Sequence, residues 1–334
     1  MNAGIRSLGV YIPEAKMTAA ELAEQAGMPE NVVTEKLGIK QKPLPGPDDH
    51  TCEMGVKAAR EAIKKAGVDP ADIDMVIYIG EEYKEYPLWT AGIKLQEEVG
   101  AVNAFAFDMA LRCGTTVMAV KIARDMMQAD PDIHMVLLAG GYRNVDFIDY
   151  KNPRTRFMYN LGAGGAAMIL EKDSNQNTIL GSHIITDGSF SEDVVVPVGG
   201  TKKPLTAESL AAGLYQLDVP DPDGMKARLE QKSMANFLTC IREALRKSGH
   251  TQEDIDYLAI LHMKRSAHHY VLDQLGVPHE KSIYLEDYGH IGQMDQIISL
   301  HLAEERGLLK KGDIVVLVSA GIGYAWGANV IRWG

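Results

Sequence analysis

An α/β protein assembled from two similar halves is the fold class this sequence predicts, and three observations carry it. The segment 60–67 followed by Asp72-Ile73-Asp74 recurs as 242–249 followed by Asp254-Ile255-Asp256, at an unchanging offset of 182 residues and without a gap. Each copy leads into a nearly continuous apolar run, at 75–79 and 257–261, the pattern of strands buried on both faces. Hydrophobic residues make up 46% of the 334, enough core for two such units.

Taken in order, each copy reads as an amphipathic helix closed by a glycine C-cap, Gly67 or Gly249, then a short acidic connection, then the strand. A second buried strand follows in each half, at 135–139 and 314–318, ending in the glycine-bearing turns Gly140-Gly141 and Gly321-Ile322-Gly323. A helix precedes each of these strands, at 114–128 and 292–306. Long-period duplication of strand–helix units predicts two halves, 1–172 and 173–334, related by a pseudo-twofold axis. The Pro-, Gly- and Asp-rich stretch 197–226 reads as a cap over a site, and Pro43, Pro45 and Pro47 mark a second loop.

The net charge of −11 argues against a nucleic-acid partner, whose phosphates it repels. Residues 1–11 lack the basic and apolar regions of a secretory signal. No apolar run approaches the roughly 20 residues that span a bilayer, so no membrane association is expected. Three unpaired cysteines, Cys52, Cys113 and Cys240, make a poor disulfide framework, so a cytoplasmic location is expected.

Of the three, Cys113 has a chemical setting. It follows a strand pattern at 104–109 and the short connection Ala110-Leu111-Arg112, and with Gly114-Thr115-Thr116 it opens a mostly apolar helix. At a helix start a thiolate meets unpaired N–H groups and the positive end of the helix dipole, and the same N–H groups can cradle an oxyanion. A core cysteine packed as a small apolar side chain would show the same residue type; the strand-to-helix turn favours the nucleophile. Cys52 and Cys240 lie within helical patterns and are expected to be inert.

Two of the ten histidines fall at element ends in the duplicated plan. His262 closes the run 257–261 where the first copy has Gly80, and His290, within Tyr288-Gly289-His290-Ile291-Gly292, precedes the second-half helix near the counterpart of Cys113. Strand ends and the starts of following helices are where open α/β sheets build sites, so Cys113, His262 and His290 are expected to converge on the pseudo-twofold axis. Each histidine could equally cap a helix or satisfy a backbone group. No metal site is predicted: His268 and His269, close to His262, have no acidic or thiol ligands at matching spacing.

From Phe107-Asp108-Met109-Ala110-Leu111-Arg112-Cys113 onward the sequence resembles β-ketoacyl-ACP synthase III and its thiolase-superfamily relatives. The likeness includes Gly9-Val10-Tyr11-Ile12-Pro13, Leu37-Gly38-Ile39-Lys40, the glycine-rich block 161–167, Thr186-Asp187-Gly188-Ser189 and the closing block 321–328. The resemblance implies a five-layered αβαβα fold, a homodimer, and a cofactor-free acyltransferase of fatty acid biosynthesis whose substrates are thioesters of CoA or acyl carrier protein. It implies that Cys113 takes the acyl group, that His262 assists the second substrate, and that the backbone N–H groups of Cys113 and Ile322 form an oxyanion hole. Thioester exchange suits a thiol, which is both nucleophile and leaving group.

Three departures from the family pattern stand out. The family's Asn in a Gly-Asn-Thr motif is here His290, in Gly289-His290-Ile291, which resembles the elongating synthases and thiolases and implies a Cys-His-His set. The Trp and Arg that hold the CoA adenine are Val32 and Lys36, and the Gln-Ala-Asn after the histidine is Met263-Lys264-Arg265. Lys36, Met158, Gly321 and Gly323 are candidate substrate contacts, with Trp89 and Phe157 as further candidates for an acyl tunnel. Gly80-Glu81-Glu82 resembles the Gly-Thr-Glu of hydroxymethylglutaryl-CoA synthase, in which the Glu is a general acid/base; Glu82 is the candidate, although Glu81, Glu82, Lys84 and Glu85 also fit a solvated loop. The leading expectation is Claisen condensation of an acyl group on Cys113 with a malonyl- or acetyl-type thioester. The alternatives are the hydroxymethylglutaryl-CoA-synthase-like reaction or a non-catalytic thioester-binding scaffold.

Overall fold

The computed structural model describes residues 2–334. In the first half the chain forms β1 (Ala3–Tyr11), β2 (Lys16–Thr18), α1 (Ala19–Ala26), β3 (Gln41–Pro43), α2 (Thr51–Ala66), β4 (Met75–Tyr78), α3 (Ala91–Val99), β5 (Phe105–Asp108), α4 (Thr115–Ala129), β6 (Met135–Tyr142) and β7 (Gly164–Lys172). The second half supplies β8 (Thr178–Thr186), α5 (Ala207–Ala211), α6 (Pro222–Lys247), β9 (Ile255–Ile260), α7 (Arg265–Leu275), α8 (Asp295–Glu305), β10 (Ile314–Gly321) and β11 (Ala325–Arg332).

The strands run in the order β5-β4-β6-β7-β1-β8-β11-β10-β9. Two blocks are visible in it: β1 and β8 meet at the single pair Gly4–Thr178, and on either side the order of equivalent strands is mirrored. β4 pairs in parallel with β6 in the first block, as β9 does with β10 in the second. Antiparallel β7 and β11 then follow β6 and β10. Every residue of β4 and β6 is buried, as strands covered on both faces require.

Helices α2 and α3 cover the outer face of the first block, and α6 and α7 cover that of the second. Between the blocks lie α4 and α8, each touching strands of both. This is the expected five-layered αβαβα arrangement. Gly67 adopts the left-handed conformation at the end of α2 (φ 66°), and Gly249 the same after α6 (φ 74°), as the repeated C-cap glycine predicts.

Two local expectations need correcting. Helix α4 begins at Thr115 with Gly114 as its N-cap, so Cys113 precedes the cap instead of opening the helix. The second-half helix at 292–306 is a 3-10 turn, Gly292–Met294, running into α8; Gly292 holds a left-handed φ of 56° with the Tyr142 ring against it.

Candidate active site

The turn that carries Cys113 is a tight structure. Arg112 adopts a left-handed φ of 50°. Thr115 Oγ1 accepts from the Leu111 N–H at 2.7 Å and donates to the Arg112 carbonyl at 2.6 Å. From the other half, Ser319 Oγ donates to the Cys113 carbonyl at 2.5 Å. A Cβ on Gly321 would lie 2.9 Å from the Leu111 oxygen and 3.1 Å from the Cys113 nitrogen, so only glycine lets the end of β10 run this close to the turn.

Cys113 Sγ lies 3.1 Å from His290 Nε2. The other ring nitrogen, Nδ1, donates to Asp295 Oδ2 at 2.6 Å. Asp295 is wholly buried and accepts two further bonds, from the backbone N–H of His262 at 2.7 Å and of Ile291 at 2.7 Å. Three donors satisfy a carboxylate that burial would otherwise penalise. Burial opposes charge on His290, but the Asp295 carboxylate and negative charge on the Cys113 sulfur outweigh it and hold the imidazole well above its ordinary value. The arrangement is a Cys–His–Asp relay in which carboxylate, imidazole and sulfur are each in contact.

His262 has a different environment. Asn160 Nδ2 donates to its Nδ1 at 2.9 Å, which leaves Nε2–H to donate to the Gly38 carbonyl at 3.2 Å. Burial pushes its pKa down to about 4, against the pull of Asp295, so it is a neutral imidazole with one defined tautomer. Behind Asn160, the fully buried Lys42 ammonium donates to the carbonyls of Tyr159 and Leu161, each at 2.7 Å, and to the Tyr150 hydroxyl at 2.7 Å. It thereby pins the backbone on both sides of Asn160. Burial lowers this ammonium to about 7.

Cys113 lies between two cavities. One, of about 610 Å³, contains both histidines with Asn160 and Met158, and carries Arg154, Lys226 and Lys264 among its lining residues. The other, of about 480 Å³, contains Glu81, Glu82, Arg112 and Asn144 under the segment 194–217. Ile322 lines both. The irregular stretch at 197–226 thus contributes to the walls of both cavities.

The structure brings Cys113, His262, His290, Met158, Gly321 and Ile322 together. Gly323 lies in the same closing turn with open space on its Cβ side. Lys36 is exposed on the turn Val32–Leu37 and lines neither cavity; its neighbour Leu37 does. Phe157 lines the histidine-side cavity, but Trp89 packs on the outer cluster beneath α2 and α3. Glu82 is the exposed member of its pair, bonded to Arg112 at 2.7 Å. The buried carboxyl is that of Glu81, which accepts from Asn144 at 2.7 Å and from Arg112 at 3.3 Å; burial raises it despite the nearby guanidinium. Cys52 and Cys240 are buried in helices with thiols pushed up by burial, Cys240 to about 12. Asp295, Asn160 and Glu81 are the site residues not picked out from the sequence.

A thiol-centred site between two pseudo-symmetric α/β halves defines a condensing enzyme of the thiolase fold. The family model described as 3-oxoacyl-(acyl-carrier-protein) synthase III matches residues 107–188, and that of its C terminal matches residues 245–333. The β-ketoacyl-(acyl-carrier-protein) synthase III of Clostridioides difficile strain 630 is 29% identical over 339 residues, spanning 99% of this chain and 98% of that protein. That of Caldanaerobacter subterraneus subsp. tengcongensis is 28% identical over 332 residues, with 99% and 98% covered. Among solved structures, the 3-oxoacyl-(acyl carrier protein) synthase III of Pseudomonas aeruginosa PAO1 superposes with a TM-score of 0.85 at 21% identity, covering 100% of this chain and 98% of that one. The chain belongs to the synthase III family of the thiolase superfamily, and it is an acyltransferase of the condensing class. No helix among the described residues is long and apolar enough to cross a membrane.

Proposed function

We propose that the protein loads an acyl group from a CoA or carrier-protein thioester onto Cys113 and condenses it, Claisen-fashion, with a malonyl- or acetyl-type thioester. The observation that carries this reading is the unbroken contact from Asp295 through His290 to the Cys113 sulfur. His290 holds the proton of the Cys113 thiol while the sulfur attacks the thioester carbonyl; the carbon–sulfur bond to the donor breaks, and the proton passes to the departing thiolate. The N–H groups of Cys113 and Ile322 face the developing oxyanion. In the second half-reaction an enolate forms by loss of CO2 from a malonyl-type thioester, or of an α-proton to His290 from an acetyl-type one, and the His262 N–H now directed to Gly38 turns to stabilise it. The enolate carbon attacks the acyl carbonyl, and the Cys113 sulfur leaves as thiolate. A neutral imidazole is a suitable donor for that purpose, because it adds no proton that the enolate could take irreversibly.

The basic side chains Arg154, Lys226 and Lys264 of the histidine-side cavity support an approach by the phosphates of CoA or the acidic surface of a carrier protein. Lys36, exposed nearby in sequence to Leu37, belongs to the same electropositive approach in this reading. We read residues 1–172 as the nucleophile-bearing half and 173–334 as the histidine-bearing half, and the protein as a homodimer. Supporting the dimer, the edge strand β5 exposes Phe105, and Leu88, Ile93 and Val102 are exposed on the adjoining loop and helix, an apolar set larger than isolated surface residues require. The exposed, Arg112-paired Glu82 gives no support to the hydroxymethylglutaryl-CoA-synthase-like reaction.

Incubation with acyl-CoA followed by intact mass measurement tests the reading. An acyl adduct on the wild type, absent from Cys113→Ala, and release of a β-ketoacyl product on addition of malonyl thioester are the expected results. No adduct across a panel of acyl-CoAs would refute catalysis and leave the scaffold alternative.

A further inference from the structure

The cavity on the side of Cys113 away from the histidines has an unusual wall for a hydrocarbon site. Its apolar lining, which includes Phe147, Val194, Val198 and Leu217, is interrupted beside the nucleophile by the Arg112 guanidinium. Both ion pairs of Arg112, to Glu81 and to Glu82, run through Nη1, and a guanidinium carries donors on two further nitrogens. The Arg112 side chain is half exposed, and so is that of Glu82, while Glu81 is buried.

These facts bear on what can occupy the cavity. A plain alkyl chain would strip water from the guanidinium N–H groups that Glu81 and Glu82 do not engage and return no hydrogen bond, and desolvating polar donors without compensation is costly. An acyl group that brings its own oxygen removes that cost. The Glu82 pair is exposed, and such pairs contribute little, so a substrate oxygen can take its place on Arg112 without large loss. Glu81 remains behind, held by Asn144, and keeps the guanidinium oriented.

Resting on the reading of Cys113 as acyl carrier, we infer that Arg112 is a specificity-determining residue that selects acyl donors bearing a hydrogen-bond-accepting oxygen beyond the thioester carbonyl, in preference to unsubstituted alkanoyl donors. The acceptor is a ketone or hydroxyl oxygen, or the carboxylate of a dicarboxylic monothioester; both chemistries offer a lone pair to the same N–H donors. The covalent step is unchanged: the Cys113 sulfur–acyl bond forms, the bond to the CoA sulfur breaks, and the thiol proton leaves on CoA.

The test is the initial rate of Cys113 acylation, read by intact mass at subsaturating donor. Three arms are compared: acetoacetyl-CoA and 3-hydroxybutyryl-CoA, succinyl-CoA and glutaryl-CoA, and butyryl-CoA and hexanoyl-CoA. At least one oxygenated arm should exceed the alkyl arm about tenfold, equivalent to roughly 1.4 kcal/mol, and which oxygenated arm leads identifies the acceptor. Arg112→Met should still acylate while bringing the ratio close to one. Should that variant not fold, Glu82→Gln replaces it: removal of the competing carboxylate should widen the succinyl-to-butyryl ratio. Equal or faster acylation by the alkyl arm in the wild type overturns the inference alone, as does an undiminished preference in Arg112→Met. Absence of acylation in every arm overturns the acyl-carrier reading and this inference with it.

Discussion

The two halves place different chemistry at equivalent positions. The 182-residue offset that relates the repeated helices also carries Gly80 onto His262 and Cys113 onto Asp295. The backbone around the first pair is alike: Ile79 N–H donates to the Ala139 carbonyl beyond β4, and Leu261 N–H to the Val318 carbonyl beyond β9. Their surroundings differ. A Cβ on Gly80 would meet the Tyr78 ring at 2.1 Å, and the Gly140 backbone is packed against Gly80 as well. The second strand end instead bears an imidazole that lines the cavity. At the helix starts, in the proposed reading, one half supplies the nucleophile and the other the carboxylate that supports its base. Duplication thus provided two frameworks for sites, and divergence combined them into one by making each half incomplete.

If that division is right, damage to the second half should disable the nucleophile of the first. Asp295→Asn keeps the shape but removes the charge facing His290, and it places an amide where three donors now converge. Acylation of Cys113 should fall roughly 10⁴-fold, in line with the loss of an orienting carboxylate in other relays. Stopped-flow measurement of thiol release checks it. A loss under tenfold would mean that His290 is held by packing alone and that the halves are less interdependent than the geometry indicates.

The two histidines should separate by half-reaction. His262→Asn is expected to leave acylation within a few-fold of wild type while lowering condensation about 10²-fold, the usual scale for one acid–base group. Single-turnover assays of each step distinguish them. The same residue has a signature in stability. Its folded pKa of about 4 lies below an unfolded value of about 6.5, so the unfolded chain binds the extra proton. Stability contributed by the neutral ring is therefore present above about pH 6.5 and lost as pH falls towards 4, by up to roughly 3 kcal/mol. Urea titrations between pH 4 and 7 should show a shallower decline in His262→Asn than in the wild type. Parallel declines would contradict the buried neutral assignment.

Much of this was legible in the sequence because the repeat is gapless, so elements could be placed by register. Cys113, His262 and His290 were visible because they stand at element ends. Asp295 was not, since an acidic residue in a first helical turn is ordinary; extending the offset from Cys113 would have found it. Asn160 lies 102 residues from His262 and has no local signal, because only the fold brings them together. Glu81 and Glu82 are adjacent carboxylates whose fates diverge beyond the end of β4, where strand alternation no longer assigns a face. Lys42 reads as a surface charge, and its burial depends on three acceptors contributed by a loop more than a hundred residues away. What escaped the sequence is the set of buried polar partners, which depend on long-range contact and not on local pattern.

The smallest expected effect bears on whether the first half's strand end is empty by necessity. Gly80→Ala adds one methyl group where the Tyr78 ring is already in the way. Tyr78 is itself 1% exposed, inside the cluster formed with α2 and α3, so the ring has little freedom to retreat. Overpacking of this kind costs about 1–3 kcal/mol, and thermal or urea unfolding should register it as a lowered midpoint. Acylation, which depends on groups across the axis, should change less than stability does. If Gly80→Ala were as stable as the wild type, the first half would have room for a side chain at this position. The asymmetry would then be a matter of which half acquired the histidine, because steric exclusion would no longer account for it.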